Sequence, residues 1–167
     1  MTYKKVGLEE RQKFQETYIT ALREGFVGFV PEKFIKTLDR HFDNYFNECF
    51  NDVNMEMYIC YEDEMPIGVI VFGKSHLPKA MLSDGFIDSI YFRKNYHGKG
   101  YAKEALDFME NRLKFLGYRT IYLWCSSENE RAWRFYTKNN YQLTQQEWDD
   151  CLDGRIYHNF LFKKSIS

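Results

Sequence analysis

Proline is scarce in this chain, with 3 in 167 residues, and no Ser- or Gly-rich tract accompanies it. That excludes a collagen-like, linker-rich or disordered chain. Cysteine is also sparse. Cys49, Cys60, Cys125 and Cys151 form no CxxC pair, and His41, His76, His97 and His158 do not cluster with them. The spacing argues against zinc, gives no metal site to expect, and reads as reduced, mostly structural thiols. Neither charge is in excess: 23 Lys and Arg stand against 24 Asp and Glu. There is no basic stripe to grip nucleic acid and no polybasic segment to lie on a membrane. The longest apolar runs, such as Val69-Ile70-Val71-Phe72, fall far short of the ~20 residues of a membrane helix. Residues 1–10 have no apolar core and do not read as a signal peptide. The expectation is a cytoplasmic protein with no nucleic-acid or membrane partner.

Aromatic residues, by contrast, are plentiful at 19%, with 15 Phe, 13 Tyr and 3 Trp. They either fill a core or furnish a homodimer surface. The length suits a single domain over residues 1–167, at about 100–200 residues per domain.

Apolar spacing divides the chain without an internal repeat. Residues 9–23 carry Phe14, Tyr18, Ile19 and Leu22 at helical intervals. A breaker-rich loop over 24–31 follows, and a second helix is expected to take Pro31 as its first residue. Its face holds Phe34, Ile35, Leu38, Phe42, Tyr45, Phe46 and Cys49. The period then changes: residues 55–61 and 67–73 read as a β-hairpin, and 85–92 as another strand. Strict alternation puts Phe86, Asp88, Ile90 and Phe92 on one face of it, and Ile87, Ser89 and Tyr91 on the other. A loop over 93–98 leads to a helix striped by Ala102, Ala105, Leu106, Met109, Leu113 and Leu116, ended by Gly117. A strand over 121–125, a helix over 129–138, and a hairpin of 141–148 with 156–162 complete the order α-α-β-β-β-α-β-α-β-β. That is an α/β (α+β) arrangement, a mixed sheet flanked by helices.

The informative stretch is Tyr96-His97-Gly98-Lys99-Gly100-Tyr101-Ala102, between a strand and a strong helix. Glycines let backbone approach a ligand, and the unpaired amides at a helix N-terminus suit an anion, phosphate above all. A P-loop is excluded because Lys99 is followed by Gly100 rather than Ser or Thr. A dinucleotide fingerprint is excluded because Lys103 stands at the third glycine. A plain glycine turn starting a helix is the other reading of the short motif.

The context resembles the GNAT acyltransferase superfamily, whose [QR]-x-x-G-x-[GA] signature matches His97-Gly98-Lys99-Gly100-Tyr101-Ala102. Downstream, Asn129-Glu130-Arg131-Ala132-Trp133-Arg134-Phe135-Tyr136 is similar to that family's N-x-x-A-x-x-F-Y helix. The two motifs in order are far more specific than either alone. The chain departs from the pattern at His97 in place of Gln or Arg, at Lys94 where many members have proline, and at Asn140 for a common glycine.

The resemblance implies a mainly antiparallel sheet with helices on both faces, and acetyl-CoA as cosubstrate. It implies that His97 and the amides of Gly98, Lys99, Gly100, Tyr101 and Ala102 hold the pyrophosphate, while the pantetheine runs beside Ile90, Tyr91 and Phe92. Lys99 and Lys103 either add charge there or belong to a solvated helix face. Tyr136 matches the tyrosine that protonates the departing thiolate, and Asn129 the asparagine that contacts pantetheine; core packing and helix capping are their other roles. Many members carry a glutamate base where this chain has Phe86, so Asp88, two residues on, is the candidate base. Cys125 reads as a small buried side chain rather than a nucleophile. Phe26, Phe29 and Trp148, with the acids over 147–150, are the candidate acceptor walls. The implied activity is N-acetyl transfer to a primary amine of a small molecule by direct attack. A peptide or protein amine, a non-catalytic coenzyme A sensor, and a plain interaction module stay open.

Overall fold

The computed structural model describes residues 1–26, 30–77, 83–152 and 154–166. Its strands are β1 (Thr2–Lys5), β2 (Met55–Glu62), β3 (Met65–Lys74), β4 (Asp84–Phe92), β5 (Thr120–Ser126), β6 (Gln142–Leu152) and β7 (Arg155–Ser165). Its α-helices are α1 (Arg11–Phe26), α2 (Glu32–Asn51), α3 (Tyr101–Phe115) and α4 (Glu130–Lys138). The seven strands form one sheet in the order β1-β2-β3-β4-β5-β7-β6. All neighbours are antiparallel except β4 and β5, which α3 connects in parallel.

Each sheet face is hydrophobic, and each is covered by different helices. On one side Leu106, Met109 and Leu113 of α3 and Tyr136 of α4 pack on Ile70, Phe72, Ile87, Leu123 and Phe162. On the other, Phe14 and Leu22 of α1 and Phe42 and Phe46 of α2 pack on Ile59, Val69 and Val71. Much of the aromatic content therefore goes into two cores, and each fully buried Phe stabilises the fold by about 1.5–3 kcal/mol.

The expected elements are found with small shifts of boundary. Pro31 is the N-cap of α2 rather than its first residue, with an extended ψ of 138°. Tyr141 lies outside β6, buried against Tyr136 with ring centroids 5.7 Å apart, and the last hairpin runs further than expected, to Leu152 and Arg155. The loop over 93–98 contains a 3-10 turn, Lys94–Tyr96. β1 is an addition: its four residues, Thr-Tyr-Lys-Lys, are too short and polar to show alternation. They are ordered by pairing with β2 and by the stack of Tyr3 on Phe108 at 3.9 Å.

One expectation is overturned in β4. Val71 pairs with Ser89 but Phe72 pairs with Ile87, so a bulge puts Asp88 and Ser89 opposite a single step of β3. The extra residue breaks the two-residue period. Ile87, Ile90 and Phe92 all join the α3 side, whereas Tyr91 packs on the α1–α2 side. Asp88 does not share a face with Ile90 and Phe92; it shares one with Ser89, and both side chains reach Tyr45 of α2.

Candidate active site

β4 and β5 pair through only three residue pairs, Asp84–Thr120, Gly85–Ile121 and Phe86–Tyr122. Beyond Phe86 the strands part, because β4 stays with β3 and β5 stays with β7. Among the described residues, the edge of β4 that faces β5, including Ile90, Tyr91 and Phe92, has no ladder partner. An extended group can add to such an edge as another strand would.

The turn before α3 lies at the end of β4. Gly98 and Gly100 have φ of 75° and 92°. A Cβ at either would touch nothing within 4 Å, so glycine serves the left-handed backbone there and the space above the turn is open. Gly100 is the N-cap and has no side chain to offer the first turn of α3. The amides of Tyr101 and Ala102 belong to the first turn, where no intrahelical acceptor exists. These open amides and the positive helix end fit a phosphate group. Of the two lysines, Lys103 pairs with Asp107 on its own helix, and the Lys99 ammonium lies 5.2 Å from the centre of the Tyr96 ring.

His97 is more firmly held than a surface histidine. One ring nitrogen, Nε2, lies 2.7 Å from the Phe92 carbonyl, and Nδ1 lies 2.5 Å from Arg131 Nη1. Arginine only donates, so Nδ1 accepts and Nε2–H donates. Burial lowers the His97 pKa; the Phe92 hydrogen bond opposes that, and the Arg131 charge adds to the lowering.

The opposite wall comes from β5 and α4. Asn129 caps α4, its side chain accepting from the Ala132 amide at 3.1 Å, so the capping role is present. Tyr136 is buried among Phe135, Tyr141 and Phe162. Burial first, then the nearby Cys125 and Tyr91, raises its pKa, so the phenol keeps its proton at neutral pH. Burial pushes the Cys125 thiol up to about 12. Among the described residues its one hydrogen bond is to the Ser126 carbonyl at 3.7 Å, which does not activate a nucleophile.

On the α1–α2 side, Asp88 Oδ2 accepts hydrogen bonds from Tyr45 at 2.6 Å and from Ser89 at 2.8 Å. Tyr18 stacks on Tyr45 and meets Tyr91 edge-on, forming an aromatic surround. Phe26 adds an edge contact to Tyr91, while Phe29 lies outside the described residues. Trp148 is 54% exposed, with its ring 6.4 Å from Trp124. A hollow of about 630 Å³ lined by Glu147, Trp148, Asp149 and His158 opens there, and Asp149 is paired with His158. Sequence reasoning missed Tyr45, Ser89, Trp124 and Arg131. Tyr45 lay on the expected face of α2, and Arg131 lay inside the second motif.

The sequence profile of the acetyltransferase (GNAT) family matches residues 14–141. The chain belongs to the GNAT acetyltransferase family. It is therefore an acyltransferase by family. Among solved structures, this acetyltransferase is similar to the PaiA N-acetyltransferase of Thermoplasma acidophilum in complex with coenzyme A. The two share 17% identity, with a TM-score of 0.75 over 99% of both chains. The yncA protein of Salmonella typhimurium, solved with acetyl-CoA, is 15% identical with a TM-score of 0.73, over 100% of this chain and 94% of that one. The ribosomal-protein-alanine N-acetyltransferase of Brucella melitensis is 10% identical with a TM-score of 0.74, over 99% of both. At such identities the likeness shows the fold. No curated protein matches the chain in sequence. Among the described residues, no helix is long and apolar enough to cross a membrane, and no three metal-ligating side chains converge.

Proposed function

We propose that this acetyltransferase transfers the acetyl group of acetyl-CoA to a primary amine of a small molecule, by direct attack within a ternary complex. The observation that carries the reading is the parting of β4 from β5 beyond Phe86, with the open Gly98–Gly100 turn at one wall and Tyr136 at the other. That two structural relatives hold coenzyme A or acetyl-CoA supports the same cosubstrate here.

Acetyl-CoA supplies the activated acyl group. Gly98 to Ala102 would hold its pyrophosphate on their amides, with His97 beside them, and Ile90, Tyr91 and Phe92 would align the pantetheine along the β4 edge. The Asn129 side-chain oxygen is committed to its cap, which leaves the amide nitrogen to donate to the same arm. Tyr136, protonated at neutral pH, donates its hydrogen toward the sulfur as negative charge develops there.

An amine acceptor enters as a cation and must lose a proton before it attacks. Asp88 Oδ2 is held by Tyr45 and Ser89, and Oδ1 is engaged by neither. Oδ1 is thus the atom to take the proton, directly or through a water. Tyr18, Tyr45 and Tyr91 surround this carboxylate with aromatic faces and edges, which suits an ammonium ion. All four cysteines are free thiols, which fits a reducing, cytoplasmic location.

A thermal-shift titration with acetyl-CoA tests the cosubstrate, with adenosine as control. Saturation at about 100 times the dissociation constant adds about 2.7 kcal/mol, which raises Tm by about 5–10 °C for a chain of this size. A rise with acetyl-CoA alone supports the reading. No rise at saturation refutes it. A panel of polyamines, amino sugars and peptides, followed by thiol release, then decides the acceptor class. Turnover only with peptides overturns the small-molecule assignment.

A further inference from the structure

We infer that Arg131 is a phosphate-binding group of the cosubstrate site and that His97 is its positioning residue, able to hold it only while the imidazole is neutral. The inference rests on the acetyl-CoA reading above and adds two things to it: a cationic ligand that the signature loop does not contain, and a pH limit on cosubstrate affinity.

His97 directly precedes Gly98, the first residue of the open turn, and Arg131 stands in the first turn of α4 on the other side of the cleft. Nδ1 accepts from Arg131 at 2.5 Å while Nε2–H donates to the Phe92 carbonyl at 2.7 Å. The ring thereby ties the end of β4 to the start of α4 across the parting of the strands. A guanidinium carries five N–H donors. One is spent on His97, and the others remain for an anion on the neighbouring amides of Gly98 to Ala102. Bidentate geometry makes arginine well suited to phosphate.

Protonation changes one contact and spares the other. The imidazolium keeps its donation to Phe92, but Nδ1 gains a hydrogen and faces the guanidinium donor to donor and cation to cation. Neither ring nitrogen is then aimed at a free anion position, because one points to Phe92 and the other to Arg131. The loss of the positioned arginine therefore outweighs any charge the ring itself adds. The charged groups about the ring come from each element packed on it. They are Arg131 of α4, Lys94 of the 3-10 turn, and Glu24 of α1, whose carboxylate accepts the Lys94 amide at 2.6 Å. Desolvation, Arg131 and Lys94 oppose protonation, whereas the Phe92 hydrogen bond and Glu24 favour it.

This also gives physical sense to the departure from the family signature. Glutamine, one of the usual residues at this position, has one side-chain acceptor and one donor group, as neutral histidine does. It can accept from Arg131 and donate to Phe92 without titrating. A histidine makes the same pair of contacts only above its own pKa.

The test is the dissociation constant of coenzyme A for the wild type, His97→Gln and Arg131→Ala, measured from about pH 8 to about pH 5, where histidine charge changes. Dephospho-coenzyme A is run in parallel, because the 3′-phosphate of coenzyme A titrates in the same range. With dephospho-coenzyme A the wild type is expected to weaken about tenfold or more toward acid, the size of one lost charge-assisted hydrogen bond. His97→Gln is expected to keep its own affinity level from about pH 8 to about pH 5, whatever its value at the start. Arg131→Ala is expected to be weak throughout. Proton NMR of the His97 ring should report a protonation midpoint that rises when Arg131 is removed. An equal acid slope in His97→Gln overturns the inference, and so does tighter wild-type binding at low pH, which would mean that the imidazolium itself holds phosphate. Failure of every form to bind coenzyme A at about pH 8 refutes the cosubstrate reading instead.

Discussion

The Tyr45 hydroxyl donates a 2.6 Å hydrogen bond to Asp88 Oδ2, joining the second helix to the bulge of β4. The bulge turns Asp88 toward the α1–α2 face, and Ser89 meets the same oxygen at 2.8 Å. A carboxylate fixed in this way keeps one orientation, with Oδ1 outside both hydrogen bonds; under the proposed mechanism that oxygen takes the proton. Asp88→Asn retains the shape and removes the proton acceptor. Its kcat should fall by about 10²–10⁴, the usual share of a general base, while coenzyme A affinity stays at the wild-type value. Tyr45→Phe removes one of two supports and should cost about tenfold in kcat. An unchanged rate in Asp88→Asn would remove the aspartate from the chemistry.

Tyr136 answers to a different measurement. Its phenol is buried and keeps its proton, so Tyr136→Phe removes one hydrogen-bond donor from a packed site and little volume. Steady-state kinetics should show kcat reduced by about 10²-fold with coenzyme A binding nearly unchanged. If affinity falls and turnover does not, the tyrosine packs the cleft and donates nothing.

The fold and the site were unequally legible in the chain. α3 showed its six-residue apolar stripe and its terminal glycine, and the loop before it showed glycines where φ is 75° and 92°. These signals are local, so they can be read from a short window. The bulge at Asp88 is not local: it arises from the register of β4 against β3, and strict alternation therefore misassigned Ile90 and Phe92. Tyr45 and Asp88 are 43 residues apart in sequence, and His97 and Arg131 are 34 apart. No periodicity reports such meetings. β1 escaped notice because Thr-Tyr-Lys-Lys gains its order from a neighbouring strand rather than from its own pattern.

Gly100 gives a test of the open turn. Its φ of 92° favours glycine, and the space above it is empty. Gly100→Glu adds a carboxylate where phosphate is expected to lie, and should abolish coenzyme A binding. Gly100→Ala imposes the same backbone strain, about 1–2 kcal/mol, without the charge. It should lower Tm and leave measurable binding. Calorimetric titration of both variants separates repulsion from strain, and retained binding in Gly100→Glu would move the pyrophosphate elsewhere.

Glu56 and Arg112 provide a prediction about stability that is independent of the site. Glu56 is buried in β2, and Arg112 of α3 reaches it through Nη2 at 2.7 Å and Nε at 2.9 Å. The Tyr58 hydroxyl donates to the same carboxylate at 3.0 Å. The Arg112 hydrogen bonds hold the Glu56 pKa below the ordinary value, against the effect of burial. A carboxyl whose folded pKa is depressed stabilises the fold above its unfolded pKa, about 4.3, and that contribution disappears as pH falls through the folded value. Glu56→Gln should therefore lose stability at neutral pH. Arg112 is 33% exposed, so solvent screens part of the pair. The expected loss is near the lower end of about 1.5–3 kcal/mol for a charge-assisted hydrogen bond, or roughly 3–6 °C in Tm. Urea unfolding should show the gap between wild type and variant closing toward acid. A gap that stays constant with pH would mean that packing, rather than the ion pair, accounts for the loss.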